Sequence, residues 1–107
     1  MNADSPSCVL CGRTEVRLTR HHLIPRTRHH NKHTRRTSSR EERTQTVKLC
    51  AACHKQVHAV LTEKELEREY PTVEKLAAHP DIARFVAWVR RQPPGSHITV
   101  HPSRRRR

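Results

Sequence analysis

The stretch Leu49-Cys50-Ala51-Ala52-Cys53-His54-Lys55-Gln56-Val57-His58 packs two metal-ligand spacings into one run. Cys50 and Cys53 stand three apart, as do Cys8 and Cys11 upstream. Four thiolates satisfy a tetrahedral structural zinc site with no ligand left over. His54 and His58 stand four apart, the spacing that puts two side chains on nearly one face of an α-helix. Neighbours on a helix point about 100° apart. Cys53 can therefore face one ion while His54 faces another.

Working outward, Val57, Val60 and Leu61, with no Gly or Pro among them, predict a helix over residues 51–61. Thr46-Val47-Lys48-Leu49 alternates and predicts a short strand before it. Upstream, Cys8-Val9-Leu10-Cys11-Gly12 reads as a zinc-knuckle turn, with Gly12 free to take the positive φ that such turns need. Glu15 to Arg20 carries a weak strand signal, and His21 to Pro25 continues it as extended chain. In extended chain His21 and His22 point to opposite sides. One of them can join His54 and His58 around an ion, and the other can stand free near it as a general base. A neutral imidazole suits proton abstraction near neutral pH. A redox pair, or a Cys2His2 site drawn from Cys50, Cys53 and one histidine, competes with this reading. The second leaves Cys8 and Cys11 without a partner.

The chain has 107 residues, enough for one domain. With 33% hydrophobic and 3% aromatic residues it buries little surface, so a metal staple is expected. Residues 1–7 read as a flexible leader, 8–61 as the metal-bearing core with a basic loop over 26–44, 62–101 as a helical extension of the same domain, and 102–107 as a basic tail. A helical turn is expected in that loop near Ser39 to Glu42. In the extension, Thr62 to Glu65 fits a capping box and Pro71 ends the helix it starts. A short helix follows over Val73 to Ala78. Pro80-Asp81 then opens a helix whose Ile82, Phe85, Val86 and Val89 share one face and should be core. Ile98 and Val100 suggest a last strand.

The formal charge is +12, and Arg26 to Arg40 holds six Lys or Arg and no acid. Such an excess points to a polyanion, above all nucleic acid. Arg26, Arg28, Lys32, Arg35 and Arg36 are the candidate phosphate contacts. His29, His30 and His33 touch phosphate or nothing, and His79, His97 and His101 carry no motif. No apolar run reaches membrane-spanning length, and the start lacks the pattern of a signal peptide. A cytoplasmic setting is expected, where thiols stay reduced and the cysteines serve as ligands rather than disulfides.

Cys8-x-x-Cys11, His21-His22-Leu-Ile-Pro25 and Leu49-Cys50-Ala-Ala-Cys53-His54-Lys-Gln-Val-His58 together resemble an HNH endonuclease, over roughly Cys8 to His58. The resemblance implies an α+β, metal-stapled domain: a ββα-metal core with a four-Cys zinc knuckle. It implies His22 as general base, and His21, His54 and His58 as ligands of one catalytic divalent metal (Mg²⁺, Mn²⁺, Ni²⁺ or Zn²⁺). Structural Zn²⁺ falls to Cys8, Cys11, Cys50 and Cys53. Gln45 occupies the place of the family's middle Asn, with Thr44, Thr46 and Asn31 as other candidates for that role. The expected activity is hydrolysis of phosphodiester bonds in DNA, in preference to RNA. A non-catalytic, zinc-stabilised nucleic-acid-binding module shares the charge and the cysteines, but has no use for the histidines. A small RNA-binding adaptor would want more aromatic residues for stacking.

Overall fold

In the computed structural model, residues 6–93 and 95–98 are described. The expected leader falls mostly outside them, as do Val100 and the basic tail. Two antiparallel strands, β1 (Leu18–His22) and β2 (Thr46–Cys50), form the sheet. Six helices accompany it: α1 (Lys32–Thr37), α2 (Arg40–Thr44), α3 (Ala51–Val60), α4 (Glu63–Arg68), α5 (Val73–Ala78) and α6 (Pro80–Val89). The result is a small α+β domain with a buried four-cysteine group. No helix among the described residues is long and apolar enough to cross a membrane.

Helices of five to ten residues are marginal alone, because the first turn costs more order than it returns in bonding. Here each of the six carries a side-chain cap: Asn31, Ser39, Cys50, Thr62, Thr72 and His79 each accept a bond from a first-turn amide. The Asn, Ser and Thr caps contribute about 1 kcal/mol apiece. Two of them correct the expected loop over residues 26–44. Asn31 starts α1, and Ser39 with Glu42 forms a reciprocal capping box that starts α2. Arg26–Arg28 adds a 3-10 turn. These segments are too polar to show an apolar stripe, so their caps define them where periodicity does not. The Thr62–Glu65 box forms as expected.

Three other boundaries differ from expectation. β1 begins at Leu18 rather than Glu15 and runs through both His21 and His22. β2 extends one residue further, to Cys50. Ile98 packs against the core but belongs to no strand. The core itself sits where α6 crosses α3: Ile82, Phe85, Val86 and Val89 meet Val57, Val60 and Leu61. Leu49 of β2, Leu66 of α4 and Leu76 of α5 complete it.

Strand register positions the functional groups. Leu18 pairs with Cys50, Thr19 with Leu49, His21 with Val47 and His22 with Thr46. The knuckle turn is fastened to the same strand, since the Val9 amide donates to the Lys48 carbonyl at 3.0 Å. Gly12 closes that turn at φ 78°.

Candidate metal centres

Cys8, Cys11, Cys50 and Cys53 are all buried, and their sulfurs gather into one group within 4.8 Å of each other. The sulfurs of Cys11 and Cys50 are 3.8 Å apart. A Zn–S bond of about 2.3 Å at tetrahedral angles gives an S···S edge of about 3.8 Å. The donor set therefore fits a structural metal such as zinc. Backbone amides complete the cage: Cys11 N–H donates to Cys8 Sγ at 3.5 Å and Cys53 N–H to Cys50 Sγ at 3.4 Å. Both bonds suit sulfur that carries negative charge. The Cys50 thiol is pushed well down by hydrogen bonds from Cys53 and then Cys8. The Cys53 thiol is pushed up, first by its bond to Cys50.

His21, His54 and His58 form a second group, again with ligand atoms within 4.8 Å. The ring centres are 5.2 Å apart for His21–His54, 5.5 Å for His21–His58 and 5.0 Å for His54–His58. Three rings bound through nitrogen at about 2.0–2.1 Å with tetrahedral angles have centres about 5.2 Å apart. His21 is 1% exposed, and neither of its ring nitrogens has a hydrogen-bond partner. An orphaned buried imidazole costs free energy unless something fills its lone pair. This group too fits a divalent cation. His54 belongs with the imidazoles and not with the sulfurs, which disfavours a Cys2His2 site.

Burial pushes His21 from the ordinary 6.5 down to about 3, with His54, His58 and His22 adding to the effect. His54 is lowered by burial and then by His58. His58 is lowered by burial, against a pull upward from Glu63. All three shifts favour the neutral ring, the form that can bind a metal. Because the folded value of His21 lies below 6.5, the unfolded chain binds more protons between pH 6.5 and 3. The stability that neutral His21 contributes is complete above 6.5 and is lost as the pH falls through that window, by up to about 1.4 kcal/mol per unit. In chains carrying one zinc each, melts from pH 7 to 5 should fall more steeply for the native sequence than for His21→Leu. Parallel profiles would contradict the assignment.

His22 stands apart from the trio, half-buried on the other side of β1. Its ring centre is 6.0 Å from that of His29, whose Nε2–H donates to the Ile24 carbonyl at 2.8 Å. Burial lowers the His22 pKa, with His29, Arg26 and Arg20 contributing after it. Gln45 is exposed and lines a groove with Leu23, Ile24, Val47 and Pro71. Its tie to the histidine strand is through the backbone: its carbonyl accepts from Leu23 N–H at 3.4 Å. Asn31 is committed to capping α1, and the Thr44 hydroxyl donates to the Arg40 carbonyl at 2.9 Å.

Among the basic residues, Arg26, Lys32, Arg35 and Arg36 are exposed. Arg28 instead bonds Glu67 at 3.1 Å, a carboxylate with only 4% of its side chain exposed. Arg28 is thereby occupied in holding the 3-10 turn against α4. Sequence reasoning passed over Arg13 and Thr19. Arg13 donates to Cys50 Sγ at 3.5 Å and to the Gln92 carbonyl at 3.4 Å, tying the sulfur group to the end of α6. The Thr19 hydroxyl lies 2.7 Å from His54 Nδ1. Neither residue sits in a ligand spacing that could have flagged it.

Fold and sites together define a small α+β domain built around a buried four-cysteine group that can hold a structural metal. The chain belongs to the same family as YisB of Bacillus subtilis (strain 168), described as an uncharacterized protein. The two are 39% identical over 102 residues, which cover 94% of this chain and 89% of that protein. No protein-family model matches the chain, and no solved structure does.

Proposed function

We propose that this protein is an HNH-type endonuclease that hydrolyses DNA phosphodiester bonds with a histidine general base and one divalent metal. The observation that carries the proposal is the convergence of His21, His54 and His58 on one point, with both His21 nitrogens buried and unpartnered. A second support is that β2 pairs with β1 and runs directly into α3, as in the ββα-metal core implied by the sequence resemblance, although the 3-10 turn, α1 and α2 lie between the two strands. In this reading the sulfur group holds structural zinc, and the imidazoles hold Mg²⁺, Mn²⁺, Ni²⁺ or Zn²⁺.

A divalent ion, when bound, supplies electrostatic stabilisation of the charge that builds on the phosphate as its 3′ oxygen leaves. His22 takes a proton from the attacking water. The new P–O bond forms as the bond to the 3′ oxygen breaks, and that oxygen takes a proton from solvent water, leaving 5′-phosphate and 3′-hydroxyl ends. The lowered pKa of His22 keeps its ring neutral and ready to accept that proton. The Gln45 carbonyl accepts from Leu23 N–H and so continues the strand pairing beside the histidines. Arg26, Lys32, Arg35 and Arg36 grip flanking phosphates, which brings affinity but little sequence information.

The deciding experiment incubates zinc-loaded protein with supercoiled plasmid and each of the four ions in turn. Nicked or linear product that depends on the added ion supports the reading. Salt-sensitive DNA binding with no cleavage under any ion would leave the non-catalytic module instead. The phosphate grip has its own check. Arg35→Ala with Arg36→Ala should reduce the slope of log binding constant against log salt by about 2. An unchanged slope would move the DNA surface away from α1.

A further inference from the structure

We propose that Thr19 is a positioning residue that holds His54 in the tautomer and orientation needed to bind the ion. Thr19 lies on β1 directly opposite Leu49 of β2. Its hydroxyl is 3.0 Å from the Leu49 carbonyl oxygen and 2.7 Å from His54 Nδ1. A hydroxyl has one proton to give, and a carbonyl can only accept. Both contacts are hydrogen bonds only if the Thr19 proton goes to Leu49. The remaining contact then closes only if His54 Nδ1 carries a hydrogen and donates it to the Thr19 oxygen. In the neutral ring that leaves the lone pair on Nε2.

The arrangement is a relay from main chain to ligand. The Leu49 carbonyl is fixed by the sheet, Thr19 is fixed by that carbonyl, and His54 is fixed by Thr19. A metal-binding imidazole whose other nitrogen is anchored in this way has both its ring plane and its donor atom set before the ion arrives. The neighbouring ligand His21 is held differently, by burial alone, with neither nitrogen bonded. Thr19 sits 35 residues from His54 in the chain and meets it only because β1 pairs with β2 in this register.

This inference rests on the three imidazoles forming an ion site, and its test separates the two. Thr19→Val keeps the branched shape and removes the hydroxyl, while Thr19→Ser keeps the hydroxyl and removes a methyl. All variants are studied as full chains carrying one zinc each. Nitrogen NMR of the histidines, before any second ion is added, should show Nδ1 of His54 protonated in the native and Thr19→Ser chains. Thr19→Val should lose that preference. Titration with Ni²⁺ should then show binding weakened about 10–100-fold in Thr19→Val and restored in Thr19→Ser, with His54→Ala abolishing uptake. Thr19→Val that keeps the Nδ1–H tautomer, or binds Ni²⁺ as tightly as the native chain, overturns the role of Thr19 alone. A native chain that takes up no second ion, or takes it up equally well after His54→Ala, overturns the ion site and the relay with it.

Discussion

Replacing Cys50 by serine should release a metal held by the four sulfurs and unfold the domain. Cys50 ends β2, caps α3 and places its sulfur 3.8 Å from that of Cys11. Serine is itself a strong helix cap, so the substitution spares that function and removes chiefly the thiolate. Binding of zinc to a structural site contributes about 10–16 kcal/mol in small zinc domains. A whole domain is stable by only about 5–15 kcal/mol. Loss of the metal therefore removes free energy as large as the net stability of a whole domain. The core shows why: four of the seventeen buried hydrophobic residues described are the cysteines themselves. Metal content by native mass spectrometry and a circular-dichroism melt give the answer. One zinc per chain retained with an unshifted melt would take the sulfur group out of the stability argument.

The second large effect concerns chemistry rather than folding. His22→Ala should slow plasmid cleavage by about 10²–10⁴-fold, the usual contribution of a positioned general base. The fold should persist, since His22 is half-buried and belongs to neither ligand group. DNA binding should persist too, because the exposed arginines of α1 are untouched. His21→Ala makes the contrast, since it should cost the second ion as well as the rate. Wild-type cleavage by the His22→Ala chain would remove that ring from the mechanism and leave the base to be found elsewhere.

Much of this was readable from local pattern. Cys8 with Cys11 and Cys50 with Cys53 declare a thiolate site by spacing, and His54 with His58 declare a helical face. The stripe Ile82, Phe85, Val86 and Val89 marks the buried side of α6, and Thr62 with Glu65 marks the start of α4. These signals work because ligand turns, helical faces and capping boxes are built from residues three or four apart. The basic segment reads as loop in sequence because α1 and α2 have no apolar stripe. Their signals were Asn31 before Lys32 and the Ser39–Glu42 pair, and only the second drew notice, as a single turn.

Other features depend on residues far apart in sequence. Arg13 reaches Cys50, Arg28 reaches Glu67, and Thr19 reaches His54, each across more than thirty positions. Composition marks Arg28 as a candidate phosphate contact, and only the packing of α4 shows it paired with Glu67, which also faces Arg68. Gln45 likewise drew notice for its side chain, whereas its carbonyl makes the contact with Leu23.

The chain alone determined which atoms are available as ligands and which helical faces are apolar, since both are properties of short-range spacing and residue chemistry. Spacing leaves open which histidine of the adjacent pair turns inward; the resemblance names His21, and the alignment of β1 with β2 is what buries it and brings Thr19 to His54. Pairing register is a long-range choice, and a shift of one residue would exchange the buried ring for the free one.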